Sequence, residues 1–96
     1  MSLRPAALAV VLLLPFGAFA ADAPPGASSC SGCHPVSRAV ETPAGWLVGR
    51  NPADIVMAMQ AFRSGQRAST IMDRIVKGFT DDEIKAIADW YGAQKD

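Results

Sequence analysis

The chain is 96 residues long, half of it hydrophobic, with nine basic and nine acidic side chains and a single histidine. Arg63, Arg67, Arg74 and Lys77 gather mid-chain and read as a solvated face, and with the charges otherwise even no basic stripe points to nucleic acid. The length leaves room for one domain only.

Met1-Ser2-Leu3-Arg4 carries one positive charge, residues 6–19 are apolar apart from Pro15 and Gly17, and Ala18-Phe19-Ala20 is a small-x-small cleavage signal. This pattern predicts a secretory signal peptide over 1–20, cut after Ala20. The apolar run falls short of the roughly 20 residues that a spanning helix needs, so no membrane span is expected in the mature protein. Export moves the mature chain to a bacterial periplasm, the expected location, or to the cell exterior, where thiols are normally oxidised. Without Arg4 the charges stand at eight basic against nine acidic. A mature chain this short buries too little surface to be comfortable without a staple, a metal or a cofactor.

Residues 21–29, ADAPPGASS, are small residues, prolines and glycine, and read as a flexible leader to a domain over 30–96. CSGCH follows and is expected to open a short helix. The stretch 36–49 has no clear period and reads as a loop, yet it contains Trp46, Leu47 and Val48, apolar side chains that suit a loop folded over something. Asn51-Pro52-Ala53-Asp54 is a helix start: a cap, a proline at the first helical position and an acid at the positive end. Ile55, Met59 and Phe62 then fall at i, i+4 and i+7, with Val56 alongside, and Gly65 is a stop. A second, shorter helix is predicted over about 70–77 with Ile71, Met72, Ile75 and Val76 on its apolar face, ended by Gly78. Thr80-Asp81-Asp82-Glu83 is a capping box, and Ile84, Ile87, Ala88 and Tyr91 form the stripe of a terminal helix. No strand alternation appears. The fold class is all-α, three to four helices with loops long enough to wrap a ligand.

Both cysteines and the histidine lie in Cys30-Ser31-Gly32-Cys33-His34. C-x-x-C-H is the attachment pattern of c-type haem. Positions i and i+3 of a helical turn share a face, so two sulfurs can meet one porphyrin edge and form thioethers with its vinyl groups, with His34 placed to donate an imidazole nitrogen to the iron. Three rivals use the same residues. A Cys30–Cys33 disulfide leaves His34 idle, a thioredoxin-like dithiol needs a βαβ setting, and a structural zinc site wants four ligands where the segment offers three. One covalent haem c also supplies the missing core, with Trp46, Leu47, Met59, Phe62 and Ile75 as candidates to line its crevice.

For the other axial position there is no second histidine. Met59 belongs to a buried stripe, where core filling is its ordinary role, and Met57 is out of register with that stripe. Met72 follows the polar loop 65–70 and begins a short helix, so it is the expected axial ligand, with Met59, a lysine or an open site as alternatives. Histidine with methionine makes a centre of raised potential that passes single electrons and leaves no position for substrate.

AFRSGQR (residues 61–67) and TIMDRIVKGFTDDEIKAIADWY (residues 70–91) resemble the small cytochrome subunit of flavocytochrome c sulfide dehydrogenase, within the class I cytochromes c. The resemblance covers most of residues 26–93. It implies the small class I cytochrome c fold, haem held by Cys30 and Cys33, and iron ligated by His34 and Met72. It also implies a flavoprotein partner that oxidises sulfide at FAD, so that the heterodimer, not this chain, is the enzyme, and a soluble cytochrome c acceptor. In that fold a loop carbonyl next to a proline accepts a hydrogen bond from the axial histidine, a place that falls here at Pro35 or Pro43. Arg63 or Arg67 is available for a haem propionate. The alternatives are a free-standing soluble monohaem electron shuttle of a respiratory or photosynthetic chain, and a sensor or enzyme with an open iron that binds carbon monoxide.

Overall fold

The structure, a computed structural model, describes residues 22–95. The signal peptide expected over 1–20 lies outside the described residues. Among the described residues there is no strand, and none of the helices is long and apolar enough to cross a membrane. The elements are α1 (Ala27–Ser31), α2 (Pro52–Ser64), α3 (Met72–Ile75), a 3-10 turn (Val76–Gly78) and α4 (Asp81–Ala93). This is an all-α architecture, consistent with the small cytochrome fold expected.

Local chemistry sets the ends of the two long helices. The Asn51 side chain accepts the Ala53 N–H at 2.9 Å, Pro52 occupies the first turn and Asp54 faces the positive end of α2. Gly65 closes α2 at φ 78°, a left-handed conformation that glycine adopts without a Cβ clash. At the start of α4 the Thr80 hydroxyl accepts the Glu83 N–H at 3.2 Å, and the Glu83 carboxylate accepts the Thr80 N–H at 3.0 Å. Those bonds, the backbone one first, hold the Glu83 carboxyl below the usual carboxylate range.

The core sits where α4 crosses α2. Ile55 of α2 packs with Ile87, Ala88 and Tyr91 of α4, and Val48 and Ala27 complete the cluster. Gly92 lets the two helices approach: a Cβ there would lie 2.7 Å from the Arg50 carbonyl oxygen and 2.7 Å from Pro52 Cγ. Arg63, near the end of α2, forms an ion pair with Asp81 and donates to the Phe79 carbonyl at 2.7 Å, which ties that end to the start of α4.

Two boundaries differ from expectation. The helix near the cysteines does not open at Cys30. It begins at Ala27, inside the segment expected to be a leader, and ends at Ser31. Gly26 turns the chain into it at φ 90° with the Phe79 ring so close that a Cβ would lie 2.4 Å from Cε1, and Ala27 is almost fully buried. Tertiary contact, not propensity, places this helix. The helix expected from Thr70 starts two residues later at Met72, because Ser69 takes the N–H of Asp73.

Candidate functional site

After α1 the chain continues in a turn whose bonds centre on one carbonyl: Cys30 O accepts from Cys33 N at 3.2 Å and from His34 N at 2.8 Å. That turn brings Cys30, Cys33 and His34 to the wall of one cavity of about 590 Å³. Met59, Phe62 and Met72 line the same cavity, as do Leu47 and Ile75. Trp46 is not among the lining residues. Its indole N–H donates to the Val40 carbonyl at 2.8 Å and the residue stays partly exposed on the loop. Met57 lies outside as well, 67% exposed.

The His34 ring has a fixed orientation. Its Nδ1 is 2.8 Å from the Gly45 carbonyl oxygen. A carbonyl can only accept, so the proton sits on Nδ1 and Nε2 keeps its lone pair. This is the arrangement that holds a metal-ligating imidazole in one tautomer. The acceptor belongs to the loop that carries Pro43, two residues beyond the proline, and not to Pro35. Thr42 braces the same loop: its hydroxyl donates to the Cys33 carbonyl at 2.5 Å and accepts the Ala44 N–H at 3.1 Å.

Behind the site stands Tyr91, fully buried on α4. Its hydroxyl is 3.3 Å from the Ala27 carbonyl and 3.4 Å from the His34 carbonyl, so one side chain ties the terminal helix to both ends of the cysteine segment. Burial first, then the nearby Cys30 sulfur, pushes the phenol up to about 12. A phenol whose folded value lies above its unfolded value near 10 contributes stability that is whole below about pH 10 and lost as the pH rises toward 12. Chemical denaturation at successive pH values is therefore expected to show a decline over that window, at most about 3 kcal/mol, that Tyr91→Phe removes.

Both thiols are free. Burial pushes the Cys30 thiol up from its ordinary range, while Cys33 is exposed. Among the described residues no three His, Cys, Asp or Glu side chains come together so as to hold a metal ion, so the two thiols and the imidazole do not converge like a zinc site. They stand along a wall, facing a large space. The cavity falls within the range of about 300–1,000 Å³ typical of cofactor sites and is lined mainly by apolar groups, with Arg50 and Arg67 among the polar exceptions. Two sulfurs, one imidazole with a free Nε2, two thioethers and an apolar chamber are a donor set that fits haem. Of the two arginines singled out in the sequence, Arg67 lines the cavity, its guanidinium 4.9 Å from the centre of the Phe62 ring. Arg63 is engaged with Asp81 and Phe79.

No protein-family model matches the chain. Over 64 residues it is 38% identical to the protein named cytochrome subunit of sulfide dehydrogenase from Chlorobaculum tepidum, a match that covers 67% of this chain and 58% of that protein. The chain is a relative of that cytochrome subunit. It spans a little over half of the relative's length. The Gly45 carbonyl was foreshadowed only as a loop carbonyl near Pro35 or Pro43, and the Tyr91 hydroxyl had no signal in the sequence, since the helical stripe marked that residue only as apolar core.

Proposed function

We propose that this chain is a c-type cytochrome, an electron-transfer subunit that accepts single electrons from a flavoprotein sulfide dehydrogenase subunit and passes them to a soluble carrier in the periplasm. The observation that carries the proposal is the meeting of Cys30, Cys33, His34 with its free Nε2, and Met72 on one apolar cavity. Cys30 and Cys33 would hold one haem c covalently, and His34 and Met72 would ligate its iron. The haem, when bound, supplies a one-electron iron couple. The chain's own residues do the rest. Gly45 aims the imidazole, the Met72 thioether is soft and neutral and so raises the potential, and the apolar walls exclude water. With His34 and Met72 both ligating, the iron would have no open position for substrate, and the chain alone would not be catalytic. Sulfide oxidation belongs to the partner, which carries the FAD. The relative's name, cytochrome subunit of sulfide dehydrogenase, supports the cytochrome-subunit part of that reading, and 67% of this chain takes part in the match.

Size-exclusion of the native preparation with a visible spectrum tests the reading. Haem should elute together with a flavoprotein, and sulfide should reduce the haem only when that partner is present. A haem protein that elutes alone, and that sulfide-driven flavoprotein never reduces, would instead be a free-standing electron shuttle. Rapid carbon monoxide binding to the ferrous protein at neutral pH would indicate an open iron and end the two-ligand account.

Met59 and Met72 both line the cavity, so the choice between them needs its own test. Met59 sits inside α2, while Met72 is the first residue of α3 at the end of a loop whose residues 67–72 all line the cavity. Met72→Ala is expected to abolish the weak sulfur-to-iron absorption of the oxidised protein. Its potential should fall by on the order of 0.1 V, a fraction of the roughly 0.8 V that axial ligands command. If Met72→Ala leaves both unchanged while Met59→Ala removes them, Met59 is the ligand.

A further inference from the structure

The loop between α2 and α3 is held at both ends. At its start the Arg67 N–H donates to the Ala61 carbonyl at 3.1 Å, and the Arg67 guanidinium lies over the Phe62 ring. At its end the Ser69 hydroxyl donates to Asp73 Oδ1 at 3.1 Å and accepts the Asp73 N–H at 3.0 Å. Ser69 and Asp73 thereby close a ring around Thr70, Ile71 and Met72.

The backbone adds two bonds on the far side of that turn, where the Ile71 carbonyl accepts from Arg74 N at 2.9 Å and from Ile75 N at 3.1 Å. α3 is four residues long, and none of its residues is buried. Helices so short gain no stability from propensity. Ile71, the residue before it, provides no side-chain cap, has an irregular backbone (φ −143°, ψ −23°) and lines the cavity while 53% exposed. The direction in which Met72 leaves the backbone is thus set by the conformation of residues 69–73. The reciprocal bonds of Ser69 and Asp73 are the side-chain interactions that close those five residues.

We propose that Ser69 and Asp73 are positioning residues: their mutual clasp holds the Met72 thioether in the cavity and sets how firmly it resists displacement by another ligand. This rests on the reading of Met72 as an axial ligand. Ser69 stands on the cavity wall and Asp73 outside it. Each acts through the turn it closes.

The test is a titration of the oxidised, haem-loaded protein with imidazole, a neutral nitrogen donor that competes with a thioether for iron, followed by loss of the sulfur-to-iron absorption. A single net hydrogen bond lost from the Met72 side should tighten apparent imidazole binding about two- to tenfold in Ser69→Ala and in Asp73→Ala. The double variant should show no more than the larger single effect, because the two groups act as one unit. Ser69→Thr keeps the hydroxyl and should restore the wild-type affinity. A purely structural role would lower the melting temperature and leave imidazole affinity, measured well below the melt, unchanged in both alanine variants. That result overturns the clasp. Met72→Ala separates the two ideas. If it retains the sulfur absorption, the ligand assignment fails. If it loses the absorption while Ser69→Ala and Asp73→Ala bind imidazole as the wild type does, the ligand stands and the clasp falls.

Discussion

Replacing His34 with alanine is expected to yield a colourless chain with little stable helix. Alanine keeps the two backbone contacts at this position, the N–H to Cys30 O and the carbonyl near Tyr91 Oη. It loses the ring, and with it the bond from Nδ1 to Gly45 at 2.8 Å. One such bond contributes about 1 kcal/mol net, less than the roughly 5–15 kcal/mol that ordinary domains hold in reserve, so the missing bond alone does not unfold the protein. The larger effect comes through the core. Among the described residues eight apolar side chains are buried, three of them full-sized and sealed from solvent: Tyr91, Val48 and Val76. Of the other apolar side chains, Met59, Phe62, Leu47 and Ile75 face the cavity. Under the proposed function their partner is the haem, and without His34 the haem is neither ligated nor matured. Absorbance and far-ultraviolet circular dichroism of the exported variant measure both consequences. A stable, red His34→Ala protein would contradict the account.

The parts of the fold legible in the sequence are those whose chemistry is local. Asn51 with Pro52, and Thr80 with Glu83, satisfy orphan N–H groups two or three residues away, and a rule about neighbours found both helix starts. The terminal stripe of Ile84, Ile87, Ala88 and Tyr91 is buried as its period implied. The C-x-x-C-H segment is also local, because one helical turn places its three side chains on one wall.

What was not legible depends on pairs far apart in the chain. Periodicity marked Ile55, Met59 and Phe62 as one buried face, but it could not say against what. All three line the cavity, and Ile55 also meets α4. Trp46 was singled out because a loop indole has to be covered; the Val40 carbonyl that captures its N–H has no sequence mark. The helix α1 was displaced from its expected start because the fit of Gly26 against Phe79, 53 residues later, is a tertiary fact. The polar loop before Met72 gave no sign of how it is held; Arg67, Ser69 and Asp73 hold it in place.

Gly92→Ala carries the second large expectation, a loss of about 1–3 kcal/mol in the haem-loaded protein, the usual cost of overpacking. Two effects oppose each other. Alanine inside a helix is favoured over glycine by up to about 1 kcal/mol, and the Gly92 backbone imposes no positive φ that would penalise a side chain. Space decides the sign. The new Cβ would lie 2.7 Å from the Arg50 carbonyl oxygen and 2.7 and 3.0 Å from two atoms of the Pro52 ring. Neither neighbour is the far end of a flexible side chain: one is backbone, and the other is the rigid first residue of α2. The helices must therefore separate, and Tyr91 moves with Gly92. Its hydroxyl already spans 3.3 and 3.4 Å to Ala27 and His34, and its carbonyl accepts the Gly49 N–H at 3.1 Å, so a few tenths of an ångström weaken all three contacts. Gly78→Ala is the control, since a Cβ there meets nothing within 4 Å and φ is not positive. Thermal melts followed both by circular dichroism and by haem absorbance should drop together for Gly92→Ala and stay put for Gly78→Ala. If Gly92→Ala melts as high as the wild type, the helix contact is softer than the close approach at Gly92 implies, and Tyr91 is not the link between the α2–α4 crossing and the His34 segment.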